Sequence, residues 1–127
     1  MTHIPVFLTA GKHHILIVGA TSASMAKVAL FLDTGMRITL VGHGAHDAAT
    51  AAGLTDDVTG NKTLIIHSRP FATDDLDDKT LVYIGVEDDI TEERVLRLAN
   101  ARNMPVNVID KPAKSNFITP AQFARGP

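Results

Sequence analysis

The stretch HHILIVGATSASMAK, His13–Lys27, decides the fold of this chain. Its apolar run Ile15–Val18 predicts a buried strand that ends at Gly19, and small residues then lead into a helix predicted over about Ala23–Thr34. Gly35 supplies the left-handed position that commonly ends such a helix. A strand, a tight turn and a helix in this order open a dinucleotide-binding unit, in which N–H groups at the start of the helix face a phosphate.

The glycine-rich fingerprint of such a turn is incomplete here. Gly19 occupies the first glycine position, but Thr21 takes the second and Ser24 the third. The second position is normally glycine because the backbone must approach the pyrophosphate, and a Cβ there displaces the ligand outward. If this turn binds a cofactor, the expected contact residues are Gly19, Thr21, Ser22 and Ala23. The alternative is an ordinary strand–turn–helix that binds nothing, with Ser22 serving only as the helix cap.

Composition restricts the classes of function. The chain has 127 residues and a net charge of −2, with no basic stripe, so nucleic acid is not an expected partner. No apolar run approaches the roughly 20 residues needed to span a membrane, and the N-terminus does not read as a signal peptide. Cysteine is absent, which excludes disulfides, thiolate catalysis and cysteine-ligated metal. These features predict one domain, residues 1–127, in the cytoplasm.

The other apolar runs predict strands that alternate with helices. We expect further strands at Pro5–Thr9 (an edge strand), Arg37–Val41, Thr63–His67, Thr80–Val86 and Val106–Ile109. A short helix is predicted at Asp47–Ala52, within a region that is otherwise loop up to residue 59. A longer helix is predicted to run to about Arg102 from an N-cap at Asp89, with Glu92 completing a capping box. The pattern predicts an α/β fold with a mostly parallel sheet and helices on both faces.

Several motifs together resemble a known family. In chain order they are I-P-V-F (Ile4–Phe7), L-I-V-G (Leu16–Gly19) with Lys27 in the next helix, Gly35 before R-I-T-L-V, N-V-I-D-K-P (Asn107–Pro112) and F-I-T-P (Phe117–Pro120). Over essentially its whole length the chain resembles the dehydrogenase/chelatase domain of siroheme synthases, the precorrin-2 dehydrogenase and sirohydrochlorin ferrochelatase family.

This resemblance implies a Rossmann-like NAD(P)-binding domain that oxidises precorrin-2 with NAD as cofactor and can then insert ferrous iron into sirohydrochlorin. In that family an Asp at the end of a sheet strand serves both steps, and Asp110 matches it. The position also makes physical sense, because open α/β sheets bind ligands at the carboxyl ends of their strands and a carboxylate can accept a proton. The alternative is that Asp110 only turns the chain before Pro112.

The chain departs from the family pattern at several positions. The usual triple-glycine turn reads Gly19-Ala20-Thr21, the Arg that usually precedes Lys27 is Ala26, the usual T-D-D is Val86–Asp89, and a usual Asn on the next helix is Glu92. The family's dimerisation and substrate-covering region lies beyond Pro127, so we expect either a piece of a longer protein or a short, diverged relative. A homodimer is one option that the resemblance leaves open.

A second hypothesis follows from these departures. Thr21 and the missing C-terminal region fit a degenerate Rossmann module that binds a tetrapyrrole or nucleotide without turnover, or serves as a partner subunit. Asn107–Pro112 favours the enzyme. The two hypotheses differ in whether precorrin-2 is turned over.

The loop after the Arg37–Val41 strand offers further cofactor contacts. His43 and Gly44 are expected to face the adenine ribose, although the choice between NAD and NADP is not readable from them. His43 and His46 supply too few donors for a typical catalytic zinc site, so no fixed metal is predicted.

Three sets of charged residues could either take part in function or be solvated surface residues. The acidic residues of the segment 74–78 lack the pattern of a calcium loop and are predicted to be a solvated helix or turn. Lys111 and Lys114 either meet the carboxylates of a tetrapyrrole or are solvated, and solvation is preferred. Lys27 is either part of the family motif or a snorkelling surface residue.

Overall fold

The computed structural model describes residues 2–54 and 63–119. Within them, five strands form one sheet: β1 (His14–Val18), β2 (Arg37–Val41), β3 (Leu64–His67), β4 (Leu81–Ile84) and β5 (Val106–Val108). The α-helices are α1 (Ser22–Leu32), α2 (Ala45–Ala51) and α3 (Asp89–Ala101), and short 3-10 helices cover Ala10–Lys12, Thr73–Leu76 and Pro112–Lys114.

The strand order is β3-β2-β1-β4-β5, and all four neighbouring pairs are parallel. The central strand β1 is fully hydrogen-bonded, with Ile15 opposite Ile38 of β2 on one side and Leu81 of β4 on the other. The chain leaves β1 first toward β2 and β3, and later returns on its other side as β4 and β5. Such a reversal creates a crevice at the carboxyl ends of the strands, and the predicted parallel α/β sheet is confirmed.

Two apolar cores lie on opposite faces of the sheet. On one face, α1 and α2 bury Met25, Val28, Phe31 and Ala45 against Ile15 and its neighbours. On the other face, α3 buries its apolar side against Leu16, Val82 and Val106. Both faces of every central strand are therefore covered, as the continuous apolar runs predicted.

Helix α1 is apolar nearly all round, which predicts packing on more than one surface, but it buries only one side. Ser24, Met25, Val28 and Phe31 are buried, whereas Ala26 and Ala29 are exposed. Alanine favours the helix at exposed positions without needing a packing partner, so an apolar composition overstated the buried surface.

The predicted edge strand at Pro5–Thr9 is wrong. Residues 2–9 form no strand, and their apolar side chains are exposed, including Ile4 at 83% and Phe7 at 94%. An apolar run becomes a strand only where it pairs with another strand, and residues 2–9 pair with none of β1 to β5. Both edges of β1 are occupied, and the outer edge of β5 is taken by Asn116, whose N–H donates to the Val106 carbonyl.

Both long helices begin one residue earlier than predicted. Thr21, not Ser22, is the N-cap of α1, and its hydroxyl oxygen accepts the Ser24 N–H. Asp88, not Asp89, caps α3 and accepts from the N–H groups of Ile90 and Thr91. In each case two neighbouring residues cap a helix equally well, Thr21 and Ser22 in one and Asp88 and Asp89 in the other. Residue type alone could not decide between them.

Smaller differences concern the remaining predicted segments. Helix α2 begins at Ala45, two residues before the predicted start. Residues 55–59 of the predicted loop and Pro120 of the F-I-T-P motif lie outside the described residues. None of the helices within 2–54 and 63–119 is both long and apolar enough to cross a bilayer.

Candidate functional site

The turn after β1 is built on a close backbone contact with the end of β4. Gly19 has a φ of +116°, and a Cβ placed on it would lie 2.0 Å from the Gly85 carbonyl oxygen. Its N–H donates to the Val41 carbonyl at 2.8 Å. Only glycine combines this backbone conformation with this proximity, so Gly19 keeps the role of the first fingerprint glycine.

The end of β2 lies against the same turn. A Cβ on Gly42 would come within 3.3 Å of Gly19 backbone carbon, and the Gly42 N–H donates to the His67 carbonyl of β3. The carboxyl ends of three adjacent strands, β1, β2 and β4, therefore meet through glycines at the point where the sheet order reverses. This is the crevice in which open α/β sheets bind their ligands.

The two non-glycine fingerprint positions converge on one acceptor. The Thr21 hydroxyl donates to the Gly85 carbonyl at 2.8 Å, and the buried Ser24 hydroxyl donates to the same oxygen at 3.0 Å. Ser24 thus joins α1 to the end of β4, the contact for which the third fingerprint position is normally glycine. The Thr21 side chain is directed toward β4, and its hydroxyl also caps α1.

The start of α1 retains unpaired N–H groups. The Ser24 N–H is capped by Thr21, and the Met25 N–H donates to the Thr21 carbonyl. The N–H groups of Ser22 and Ala23 have no partner among the described residues. Together with the positive end of the helix dipole, they fit the pyrophosphate of a dinucleotide.

The loop after β2 adjoins this turn. His43 and Gly44 are exposed, and Gly44, with a φ of +74°, is the N-cap of α2. The loop is fixed to the end of β3, because the His46 N–H donates to the Ser68 hydroxyl at 2.7 Å. The structure therefore brings the six predicted cofactor contacts to one corner of the sheet, where Gly42 lies against Gly19 and Ser22 is exposed.

Asp110 follows β5 at the same edge of the sheet. It is exposed, has a φ of +66°, and lies in a turn in which the Lys111 N–H donates to the Val108 carbonyl. Asp tolerates this left-handed conformation better than most residues. The turn-forming role is thus real, and it leaves the carboxylate accessible at the carboxyl end of a strand.

Gly85 links the Asp110 loop to the cofactor turn. The Ile109 N–H donates to the Ile84 carbonyl, and a Cβ on Gly85 would lie 2.9 Å from the end of the Ile109 side chain. The same hypothetical Cβ would also clash with the Ser24 hydroxyl. Gly85 is therefore a shared contact of the α1 turn and the loop that carries Asp110. Sequence reasoning missed it, although a glycine directly after a buried strand was a usable signal.

Much of the N-V-I-D-K-P motif has a structural role. The Asn107 side-chain amide donates to the Phe117 carbonyl, and the Val108 N–H donates to the Ser115 hydroxyl, each at 2.8 Å. The Asn116 side chain accepts the Val106 N–H. These bonds cover the free edge of β5 and fold the chain back after Asp110.

Lys111 and Lys114 lie on the surface, as predicted, but both are ion-paired. Their ammonium groups bind separate oxygens of Glu92, each at 2.8 Å, while Glu92 itself is 2% exposed. Hydrogen bonds from Lys111 and Lys114 hold the pKa of Glu92 below its ordinary value against the effect of burial. Glu92 therefore does not form the predicted capping box, and neither lysine is free for substrate carboxylates.

The acidic segment is likewise only partly solvated. Asp75 is buried and accepts two hydrogen bonds from Arg69, at 2.7 and 2.9 Å, and one from the Ala72 N–H. Burial raises the pKa of Asp75, but the Arg69 and Ala72 hydrogen bonds outweigh it, and the net shift is downward. This pair is a structural clamp at the end of β3.

The histidines are dispersed. The His13 ring contacts the Thr80 hydroxyl, and the His14 ring contacts the Thr39 hydroxyl at 2.7 Å. Burial, with Lys79 and Arg37 nearby, lowers the pKa of His14. Within 2–54 and 63–119, no three His, Cys, Asp or Glu side chains cluster as a metal site.

Lys27 packs against an aromatic group behind the turn. Its ammonium lies 5.5 Å from the centre of the Tyr83 ring, which also contacts Phe31 and Phe117. The Tyr83 hydroxyl bonds to that of Thr119, and burial raises the pKa of Tyr83. Lys27 is thus half-buried over a ring rather than extended into solvent.

Comparisons with known proteins identify the family and the fold. A family model described as "Putative NAD(P)-binding" matches residues 6–121. The chain is 35% identical over its full length to siroheme synthase of Pseudoalteromonas atlantica and 32% identical to siroheme synthase of Tolumonas auensis. It spans 26% and 25% of those two proteins, about a quarter of their length.

A solved structure shares the fold. SirC, a precorrin-2 dehydrogenase, superposes with a TM-score of 0.71 at 22% identity, over 98% of this chain and 58% of that one. The resemblance to the dehydrogenase domain of siroheme synthases and the Rossmann-like fold are thereby confirmed.

Proposed function

This chain belongs to the NAD(P)-binding family whose model matches residues 6–121, and on that premise we propose that it is an NAD-dependent precorrin-2 dehydrogenase of siroheme biosynthesis. The similarity to siroheme synthases over the whole chain supports this substrate. The observation that carries the proposal is the position of Gly85, which packs between the α1 turn and the loop of Asp110. A cofactor on the turn and a substrate at Asp110 would therefore be neighbours.

The cofactor would lie across the rim of the sheet. The pyrophosphate would accept hydrogen bonds from the N–H groups of Ser22 and Ala23, with Gly19 and Thr21 beneath it. The adenosine end would run along His43 and Gly44. The close contact between Gly42 and Gly19 supports this path, because it leaves no side chain between the turn and the loop.

The reaction removes a hydride and a proton from precorrin-2, and NAD supplies the hydride acceptor when it is bound. Asp110 would accept the proton, because its carboxylate is exposed at the sheet edge and forms no ion pair with a described residue.

Iron insertion into sirohydrochlorin belongs to the same proposal as a second, lyase activity. Ferrous iron is a substrate there, and Asp110 would take protons from the pyrrole nitrogens that the metal replaces. Residues 1–127 would act as one domain in this chemistry, with a homodimer as one assembly that the family resemblance leaves open.

A binding module without turnover is the second candidate. The observation that favours it is the engagement of Thr21, whose hydroxyl is committed to Gly85 and whose Cβ stands at the usual second glycine position. Such a module would bind a nucleotide or tetrapyrrole and leave precorrin-2 unchanged.

Titration with NAD and NADH tests the cofactor site. We expect a measurable heat of binding and a raised melting temperature, because a ligand at one hundred times its Kd stabilises the folded state by about 2.7 kcal/mol. NADP, titrated in parallel, measures the preference of the His43 loop. No heat at millimolar ligand together with an unchanged melting temperature would contradict the cofactor assignment.

Replacing Asp110 with asparagine tests the chemistry. Asp110→Asn should fold normally and lose precorrin-2 dehydrogenation, because asparagine tolerates the left-handed turn but cannot accept the proton. The measurement is NADH formation with precorrin-2, alongside a melting curve.

Three results would change the interpretation. A wild-type protein that binds NAD but does not oxidise precorrin-2 would favour the binding module. An active wild type with an equally active variant would remove Asp110 from the reaction. A variant that unfolds would show that the carboxylate serves only the turn.

A further inference from the structure

Glu92 is a buried carboxylate that the proposed reaction does not use. It lies in the first turn of α3 and is 2% exposed. One carboxylate oxygen accepts from Lys111 and the other from Lys114, each at 2.8 Å. Burying a carboxylate is costly unless it is paired and hydrogen-bonded, and here both oxygens are satisfied.

Both lysines follow Asp110 in the same loop. Lys111 directly follows Asp110, and Lys114 ends the short 3-10 helix Pro112–Lys114. Glu92 therefore ties two points of one loop to a rigid helix on the neighbouring layer. Glu93 contacts Lys114 only at 3.3 Å and is 65% exposed, so it adds little to this tie.

The ion pairs with Glu92 also leave neither lysine ammonium group available to pair with Asp110. Both lysine ammonium groups are directed to Glu92, whereas Asp110 forms no ion pair with a described residue. An untethered Lys111 or Lys114 could instead swing to the Asp110 carboxylate or to a substrate carboxylate. Glu92 thus holds the loop in place and keeps the Asp110 carboxylate unpaired and accessible.

We propose that Glu92 is a positioning residue that fixes the Asp110 loop through Lys111 and Lys114. This inference rests on the proposed dehydrogenase function, in which Asp110 is the proton acceptor. A base held within a fraction of an ångström of its substrate proton reacts far faster than one on a loose loop. Glu92 does not touch the cofactor turn, so its effect should fall on turnover and not on NAD binding.

The test compares Glu92→Gln with the matched control Glu93→Gln in the full chain. The first variant should fold, because the lysine side chains are 46% and 39% exposed and can turn to water. We expect kcat for precorrin-2 oxidation to fall by about tenfold or more in Glu92→Gln, as misplacement of a catalytic group predicts. The Kd for NAD should stay unchanged, and Glu93→Gln should behave as wild type in both.

Two further measurements separate positioning from a general loss of structure. Amide hydrogen exchange in the peptide spanning residues 109–115 should accelerate in Glu92→Gln while exchange in β1 and α1 stays unchanged. In a Lys111→Met/Lys114→Met background, adding Glu92→Gln should cause little further loss of kcat, because the two changes act through one contact.

The outcomes are distinct. A wild-type kcat and wild-type loop exchange in Glu92→Gln would overturn the inference while leaving the proposed function intact, provided that Asp110→Asn is inactive. An inactive wild type would overturn the proposed function and the positioning role with it. If Glu92→Gln does not fold, Lys114→Met carries the same test, and a wild-type kcat there would overturn the inference.

Discussion

At the scale of single residues, the Gly85 carbonyl explains how the α1 turn works with Thr21 and Ser24 in place of two glycines. Both hydroxyls donate to it, and Thr21 also caps the helix. The Thr21 side chain therefore has two separable properties. Its Cβ stands at the usual second glycine position, and its hydroxyl contributes stability.

Two substitutions at Thr21 separate these properties. Thr21→Gly should tighten NAD binding, because the backbone can then approach the pyrophosphate, and should destabilise by about 1 kcal/mol, because the hydroxyl's bonds to Gly85 and Ser24 are lost. Thr21→Val keeps the Cβ but loses both hydrogen bonds, so it should destabilise by about 1 kcal/mol without tightening NAD binding. Calorimetric titration and denaturant unfolding measure the two effects.

Dehydrogenation should respond to Thr21→Gly more than iron insertion does, because the second reaction needs no nicotinamide. If Thr21→Gly leaves the Kd for NAD unchanged, the pyrophosphate does not approach this turn, and the fold serves another use.

His14 should make the stability of the fold depend on pH. Burial, with Lys79 and Arg37, lowers the pKa of His14 below its ordinary 6.5, so the unfolded chain binds this proton more readily than the folded one. Its contribution is therefore complete above pH 6.5 and is lost as the pH falls toward the folded pKa. The melting temperature of His14→Gln should fall less between pH 7 and pH 5 than that of the wild type.

An exposed histidine provides the control. His3→Gln should keep the wild-type pH dependence. Equal slopes for wild type and His14→Gln would show that burial and the nearby Lys79 and Arg37 do not oppose protonation of His14.

At the scale of elements, the end of β1 lies too close to the end of β4 to admit a side chain at Gly19. Gly19→Ala would place a Cβ 2.0 Å from the Gly85 carbonyl oxygen, at a φ of +116°. We expect destabilisation of at least about 2 kcal/mol, because strain and overlap add. NAD binding should weaken as well, since the turn must shift. Denaturant unfolding and titration measure both.

Gly11→Ala is the matched control for this prediction. A Cβ on Gly11 meets nothing within 4 Å, so its stability and NAD affinity should stay near those of the wild type. A Gly19→Ala protein as stable as Gly11→Ala would show that the β1–β4 contact is looser than described.

Element boundaries show where local signals were sufficient. The strands β1 and β2 and the helix α3 were predicted within about a residue because long apolar runs and helical periodicity are local properties. The strand expected at Pro5–Thr9 was equally apolar, yet no sheet edge accepts it. Strand formation depends on a partner, and the partner is not written in the segment itself.

At the scale of the whole molecule, the sheet order brings distant segments to one edge. The α1 turn, the loop after β2 and the Asp110 loop are far apart in the chain, but parallel strands carry all three to the carboxyl end of the sheet. The family match and the SirC superposition agree with this arrangement. The predicted contact residues Gly19, Thr21, Ser22, Ala23, His43, Gly44 and Asp110 stay predictions about function, now with a common location.

The sequence by itself determined the α/β class, the parallel sheet and the family, because apolar runs, turn glycines and motif order are properties of the chain as read in one direction. Tertiary structure alone decided which polar groups meet. Gly85 became a shared contact of two loops, Thr21 and Ser24 shared its carbonyl, and Glu92 bound two lysines about twenty residues away. Such pairings depend on strand order and helix rotation, which place residues side by side regardless of their separation in sequence.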